Sequence, residues 1–283
     1  MAHQARKRFG QNFLTDQNII NNIVGNAMIR NGQLWVEIGA GQGALTEPLL
    51  KKVTHLDVVE LDRDLVKWLE YKFAAQTNLN IHSADALRFD FAALAPEGEK
   101  LHIIGNLPYN ISTPLMFHLL ETTDCIADMI FMLQKEVVNR ICAKPNGNSY
   151  GRLSVMMQYY CATEWLFDVP PESFNPIPKV MSAMVRLVPH TQPPVDVDDI
   201  KTLSKLVSEA FSQRRKTLRN SLRNSLSETE ITALGIDASL RAENISLRDF
   251  ALMANVVSRK AVEALYFKFC DKLSRDNLSH FQR

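Results

Sequence analysis

The 283-residue chain predicts an α/β fold, a mostly parallel sheet followed by a small all-helical domain at the C-terminal end. Three observations lead there. Short apolar runs of strand length, at residues 34–38, 55–60 and 101–105, each stop at glycine or an acid. Helix-spaced apolar residues stand between these runs, and alternation of strand and helix builds a parallel sheet. Beyond the proline-rich stretch 189–197 the periodicity is helical only. That stretch predicts a boundary between residues 1–190 and residues 191–283.

Composition sets the outer limits. A hydrophobic share of 46% and a charged share of 22% are ordinary for a soluble globular protein, and the length allows one large and one small domain. A net charge of +1 points to no partner by itself, so any basic footprint has to be local. Cys125, Cys142, Cys161 and Cys270 have no C-x-x-C spacing, and His82 and His102 have no metal-ligand pattern. Neither a metal site nor a disulfide framework is expected. The N-terminal residues lack an apolar signal core, and no apolar run reaches about 18 residues, so no membrane span is expected and the cytoplasm is the expected location.

The elements follow in order. Residues 3–14 form a basic arm that by composition alone reads as mobile. Ile20, Ile23, Val24, Ala27 and Met28 mark an amphipathic helix over about 15–29. The strand 34–38 then runs into Gly39, Gly41 and Gly43, and the next helix tolerates Pro48 only in its first turn. The run 55–60 ends in Glu60, and Leu65, Val66, Leu69 and Phe73 give the helix that follows. A third strand, 79–82, leads to Asp85, and the strand 101–105 leads into Asn106-Leu107-Pro108-Tyr109. Helices are expected over 114–121 and 153–160, with strands over 128–133 and 164–169. The loop 169–178 is stiffened by prolines around Phe174, and 180–187 supplies a last strand in an antiparallel hairpin.

These pieces converge on one edge of the sheet. Glycines after a first strand let a ligand press on backbone, and the following helix offers free N–H groups. The spacing is G-x-G-x-G, however, which fits the dinucleotide fingerprint poorly, and a tight turn without ligand explains it equally well. Glu60 ends the second strand about twenty residues on, where an acid can accept hydrogen bonds from both hydroxyls of a ribose. NAD and S-adenosylmethionine both satisfy that much.

Asn106-Leu107-Pro108-Tyr109 separates the two. The Asn106 side chain and the Leu107 main chain, extended before proline, offer two carbonyl acceptors for the two hydrogens of an exocyclic amine. Such acceptors favour a tetrahedral nitrogen and free its lone pair for a methyl sulfonium. Tyr109 supplies an aromatic face for an extruded base. Phe174 fits either a core plug or a second aromatic face.

Here the sequence resembles a known group. The GxGxG turn, the acid of Val58-Val59-Glu60-Leu61-Asp62 and the Asn106 box resemble class I S-adenosylmethionine-dependent methyltransferases acting on adenine amino groups, with a Rossmann-like sheet. The runs Arg8-Phe9-Gly10-Gln11-Asn12-Phe13-Leu14, Asn106 through Pro114, Tyr150-Gly151-Arg152-Leu153-Ser154-Val155 and Phe174-Asn175-Pro176-Ile177-Pro178-Lys179-Val180 narrow it further. They resemble the small-subunit ribosomal RNA adenine dimethyltransferases.

The resemblance implies that residues 1–190 form the catalytic domain and bind S-adenosyl-L-methionine through Asn12, Leu14, Gly39, Gly41, Glu60, Asp85 and Asn106. It implies a reactive site of Asn106, Leu107, Pro108, Tyr109 and Phe174, the two rings sandwiching a flipped adenine. The expected product is N6,N6-dimethyladenosine at two adjacent adenosines in a 3'-terminal hairpin loop of 16S rRNA. The expected partner is an immature 30S-type subunit, met by a monomer.

In the helical domain, Leu203, Leu206, Val207, Ala210 and Phe211 mark one helix and residues 250–266 another. Between them, residues 213–223 carry Arg214, Arg215, Lys216, Arg219 and Arg223 with no acid, and Arg215, Arg219 and Arg223 recur every four residues. A helical basic face that contacts RNA phosphates is expected there. Two other readings stay open, a large-subunit adenine methyltransferase of the antibiotic-resistance type and an assembly factor with secondary catalysis, while the glycine spacing and the Asn106 box disfavour an NAD dehydrogenase.

Overall fold

The computed structural model describes residues 11–108, 111–213 and 215–280. Tyr109, Arg214 and the basic residues Arg6, Lys7 and Arg8 lie outside them. In chain order the elements are β1 (Phe13–Leu14), α1 (Gln17–Asn26), β2 (Leu34–Ile38), α2 (Thr46–Leu50), β3 (Leu56–Glu60), α3 (Arg63–Lys72), β4 (Leu79–Ser83) and β5 (Leu101–Asn106). Then come α4 (Ser112–Leu120), β6 (Ile126–Gln134), α5 (Lys135–Cys142), α6 (Arg152–Tyr160), β7 (Cys161–Val169), β8 (Phe174–Asn175) and β9 (Ser182–Pro189). The remainder is helical: α7 (Ile200–Phe211), α8 (Leu218–Ser221), α9 (Glu228–Ala233) and α10 (Leu247–His280).

The chain forms two compact units. Met1–Cys142 and Tyr160–Thr191 make the first, Ala143–Tyr159 and Gln192–Arg283 the second. The first holds a seven-stranded sheet of order β4-β3-β2-β5-β6-β9-β7. Strands β4 to β6 pair in parallel, while β9 lies antiparallel between β6 and β7. The expected mostly parallel sheet with a final antiparallel hairpin is what forms.

Strand order reverses between β2 and β5, and a sheet of this kind opens its ligand crevice beyond the carboxyl ends of the strands at that point. β2 and β5 are in register along their length, Ile38 opposite Gly105. Their apolar residues Trp35, Val36, Ile38, Ile103 and Ile104 are buried, as strands covered on both faces require. Asp16 caps α1 by accepting from the N–H groups of Asn18 and Ile19, and the buried stripe Ile20, Ile23 and Val24 turns that helix onto the sheet core. Pro48 stands at the third position of α2, where its missing N–H costs no helical bond.

The second unit takes α6 out of the middle of the chain. The sequence reading assigned these residues to the first domain; instead the Asn146 N–H donates to the Glu243 carbonyl at 2.8 Å and the Tyr150 hydroxyl to the Ile245 carbonyl at 2.9 Å. Phe211 lies between Tyr150 and Phe250, ring centroids 6.1 and 5.9 Å away. Such distant pairings leave no periodic trace.

The basic stretch also departs from expectation. α8 is a single turn, with Arg215 before it and Arg223 after it, so Arg215, Arg219 and Arg223 do not share one helical face. The cause is tertiary pairing: the Leu218 N–H donates to the Leu240 carbonyl at 2.8 Å and the Arg219 N–H to the Ala238 carbonyl at 3.1 Å. Leu218 and Leu222 are buried, while Arg215, Lys216, Arg219 and Arg223 are exposed.

Gly105 stands where the backbones of β2 and β5 leave no room for a side chain, because a Cβ there would stand 2.5 Å from the Ile38 carbonyl oxygen. A backbone neighbour in the sheet centre cannot move aside cheaply. Gly105→Ala should therefore lower unfolding free energy by about 2 kcal/mol or more, read from the denaturant midpoint. The same change at Gly98, which has open space around it, offers a comparison dominated by backbone conformation.

Candidate active site

Turn geometry builds the crevice. Gly39, Gly41 and Gly43 follow β2 with φ of 72°, 57° and 82°, values that only glycine adopts without strain. The Gly39 N–H donates to the Val59 carbonyl at 2.9 Å, tying the turn to the end of β3. Absence of a side chain on Gly41 admits the Phe13 ring, whose Cδ1 would lie 3.1 Å from a Cβ there.

Glu60 is 7% exposed and stands at the junction of these turns. Its Oε2 accepts from the Gly41 N–H at 3.1 Å and its Oε1 from the Asp62 N–H at 2.9 Å. Burial pushes its carboxyl above the usual range, and these two N–H groups oppose that shift. A carboxylate has about four acceptor directions, so capacity for ligand hydroxyls remains. Asp85 lines the same crevice and holds its own turn, its Oδ1 accepting from the Leu87 N–H at 3.0 Å.

The opposite wall comes from β5. The Asn106 Nδ2 donates to the Asn12 carbonyl at 3.2 Å, which fixes the carboxamide and leaves Oδ1 as its acceptor. The Leu107 N–H donates to the Met132 carbonyl at 3.2 Å, and the Pro108 carbonyl accepts from the Ile111 N–H at 3.1 Å. The Leu107 carbonyl between them accepts from no described residue. Asn106, Leu107 and Pro108 all line the crevice, as do Asn12, Leu14, Gly39, Gly41, Glu60, Asp85 and Phe174. Phe174 is 3% exposed, so it belongs to the core around Leu14 as well as to the crevice wall. The basic residues of the second unit are not among the lining residues.

Several lining residues are not among those expected from the sequence, Gln11, Glu37, Asp62 and Ile111 among them. The Gln11 Nε2 donates to Asp62 Oδ2 at 3.1 Å, and Asp62 also starts α3 by accepting from the Asp64 N–H. A signal existed for Glu37, a lone acid inside an apolar strand just before the glycine turn. It is 2% exposed and its Oε2 accepts from the Thr46 hydroxyl at 2.6 Å. Burial pushes its carboxyl up to about 7; the Thr46 bond opposes this, and the Glu60 charge adds to it.

Residues 2–259 match the ribosomal RNA adenine dimethylase family. The ribosomal RNA small subunit methyltransferase A of Pseudomonas aeruginosa is 55% identical over 253 residues, 89% of this chain and 94% of that protein. That of Citrobacter koseri is 55% identical over 261 residues, 92% and 96% of the two chains. Among solved structures, a dimethyladenosine transferase from Plasmodium falciparum superposes with a TM-score of 0.73 at 24% identity, covering 88% of this chain and 98% of that one. The 23S rRNA methyltransferase ErmE gives 0.68 at 24% identity, covering 87% and 100%. At that identity the two structures speak to the fold.

A carboxyl raised by burial favours folding while it is neutral. The Glu37 contribution is therefore fully present below its ordinary value of 4.5 and is lost as pH rises toward about 7. Glu37→Gln should gain stability relative to the parent chain across that interval and hold the gain above it, on the order of 3 kcal/mol at most. Thermal melts of both proteins over that pH range check this.

Proposed function

The chain belongs to the ribosomal RNA adenine dimethylase family, and on that premise we propose that it transfers two methyl groups to the N6 amine of each of two adjacent adenosines in the 3'-terminal hairpin loop of small-subunit rRNA. The single observation that carries the chemistry is the pair of acceptors at the end of β5: Asn106 Oδ1, with its amide held by the Asn12 carbonyl, and the Leu107 carbonyl.

The residues present fit S-adenosyl-L-methionine. Gly39 and Gly41 give it bare backbone, Glu60 accepts from the ribose hydroxyls, Asp85 accepts from the adenine amine, and Asn12 and Leu14 cover it. When bound it supplies an electrophilic methyl on a sulfonium. The protein's own part is to shape the nucleophile. Two carbonyl oxygens that accept the amine hydrogens draw the target nitrogen toward tetrahedral geometry, which localises its lone pair. The proton leaves easily once the nitrogen carries a methyl group, so no side-chain base is required. Asn106 is an acceptor and positioner. Tyr109 and Phe174 stack on the extruded base from either face.

The second unit supplies the RNA grip. Arg215, Lys216, Arg219 and Arg223, exposed on and beside a single helical turn, contact phosphates, as does Arg214, with Arg219 exchanging its exposed partner Glu228, 3.4 Å away, for phosphate. The substrate surface is that of an immature 30S-type subunit, met by a monomer in the cytoplasm. The large-subunit reading draws on one structure at 24% identity, whereas the relatives at 55% bear small-subunit names, so the small subunit is preferred.

Asn106→Ala should reduce kcat by about a hundredfold or more while S-adenosyl-L-methionine Kd changes only a few-fold. Unchanged turnover removes Asn106 from the acceptor role. Glu60→Ala should instead weaken cofactor binding, measured by titration calorimetry. Charge reversal at Arg215 and Arg223 should flatten the salt dependence of subunit binding and leave cofactor affinity intact.

A further inference from the structure

Residues 11–14 line the crevice, and the segment continues through Thr15 and Asp16 with contacts on both sides of it. On the cofactor side, Gln11 reaches Asp62 at 3.1 Å, the Asn12 carbonyl holds Asn106 at 3.2 Å, and the Phe13 ring lies over Gly41. On the other side the segment grips the strand that carries Phe174. β1 pairs antiparallel with β8, Leu14 opposite Phe174 and Phe13 opposite Asn175.

One residue gathers that grip. The Ser173 carbonyl accepts from the Thr15 N–H at 2.8 Å, the Asp16 N–H at 3.3 Å and the Thr15 hydroxyl at 3.2 Å. The Ser173 hydroxyl donates to Asp16 Oδ2 at 3.3 Å, while Asp16 Oδ1 caps α1. Ser173 is 1% exposed, and neither it nor Thr15 lines the crevice.

We propose that Thr15 and Ser173 are positioning residues that couple the cofactor site to the target-base site, so that seating of the cofactor under residues 11–14 fixes Phe174 against the incoming adenine. The proposal rests on the reading of Phe174 and Asn12 given above. The chain of contact is continuous: Glu60 and Asp62 on β3 and its following turn, then Gln11 to Leu14, then the joint at Thr15, Asp16 and Ser173, then Phe174. Coupling through such a chain is reciprocal, each ligand tightening the other by one common factor.

S-adenosylhomocysteine, which binds without turnover, is the probe. Its Kd is measured by calorimetry with and without saturating undermethylated small subunits. For the parent chain the subunit should tighten the probe several-fold. Thr15→Val, close to isosteric at an exposed position, and Ser173→Ala should each weaken the probe about threefold or more on the free protein and bring the coupling factor close to one. Thr15→Ser keeps the hydroxyl and should behave as the parent, a rescue that a merely structural defect at this position would not show; thermal midpoints monitor folding.

Parent-like affinity and coupling in Thr15→Val and Ser173→Ala overturn the proposal, as does a Thr15→Ser protein as impaired as Thr15→Val. A coupling factor of one in the parent chain, with subunits bound, overturns it too. Failure of the parent chain to bind subunits at all contradicts the substrate reading instead, and the free-protein titrations still decide the role of the joint.

Discussion

The carboxylate of Glu60 sits between two main-chain N–H groups, those of Gly41 and Asp62, and the rest of the crevice is arranged around that junction. A buried carboxylate is costly unless its oxygens are satisfied, and here the satisfaction comes from the turns after β2 and β3 themselves. The two turns are thereby fixed to each other and to a single acceptor. Asp62, the next acid along, starts α3 with one oxygen and receives Gln11 with the other, so the fixed edge also anchors the segment that closes over it.

The β5 wall is built on a different constraint. Gly105 allows the β2 and β5 backbones to approach without a side chain between them, and Asn106 follows at once. Its amide nitrogen donates to the Asn12 carbonyl, which leaves its oxygen as the acceptor end of a side chain on the crevice wall. Acceptors held by main chain do not swing away after one methyl has been added. The second transfer accordingly begins from an amine with one hydrogen and one methyl, and the rigid pair of carbonyls has to accommodate a methyl group beside one of them.

Much of this was legible in the sequence because it is local. Gly39 and Gly41 break an apolar run, Glu60 ends one, and Asn106 to Pro108 follow one; strand length, glycine and proline bring all of these to the crevice from within a few residues. What was not legible depends on distant pairing. The two-residue strand β1 exists only because β8 is opposite it. Gln11 matters because Asp62 lies fifty-one positions away. Tyr150 belongs to the second unit through a hydrogen bond to Ile245, and the four-residue spacing of Arg215, Arg219 and Arg223 suggested a helix that pairing with residues 238–240 cuts to one turn. Glu37 was readable as an anomaly but offered no partner, since Thr46 approaches it only after the glycine turn has folded.

Methyl transfer to undermethylated small subunits, run beside naked small-subunit RNA and large subunits with the modified nucleoside identified by mass spectrometry, tests the central claim most directly. The expected product is N6,N6-dimethyladenosine at two adjacent positions with small subunits, dependent on Asn106, and little or none with large subunits. Methylation confined to large-subunit RNA, or tight subunit binding without transfer from S-adenosyl-L-methionine, would contradict it.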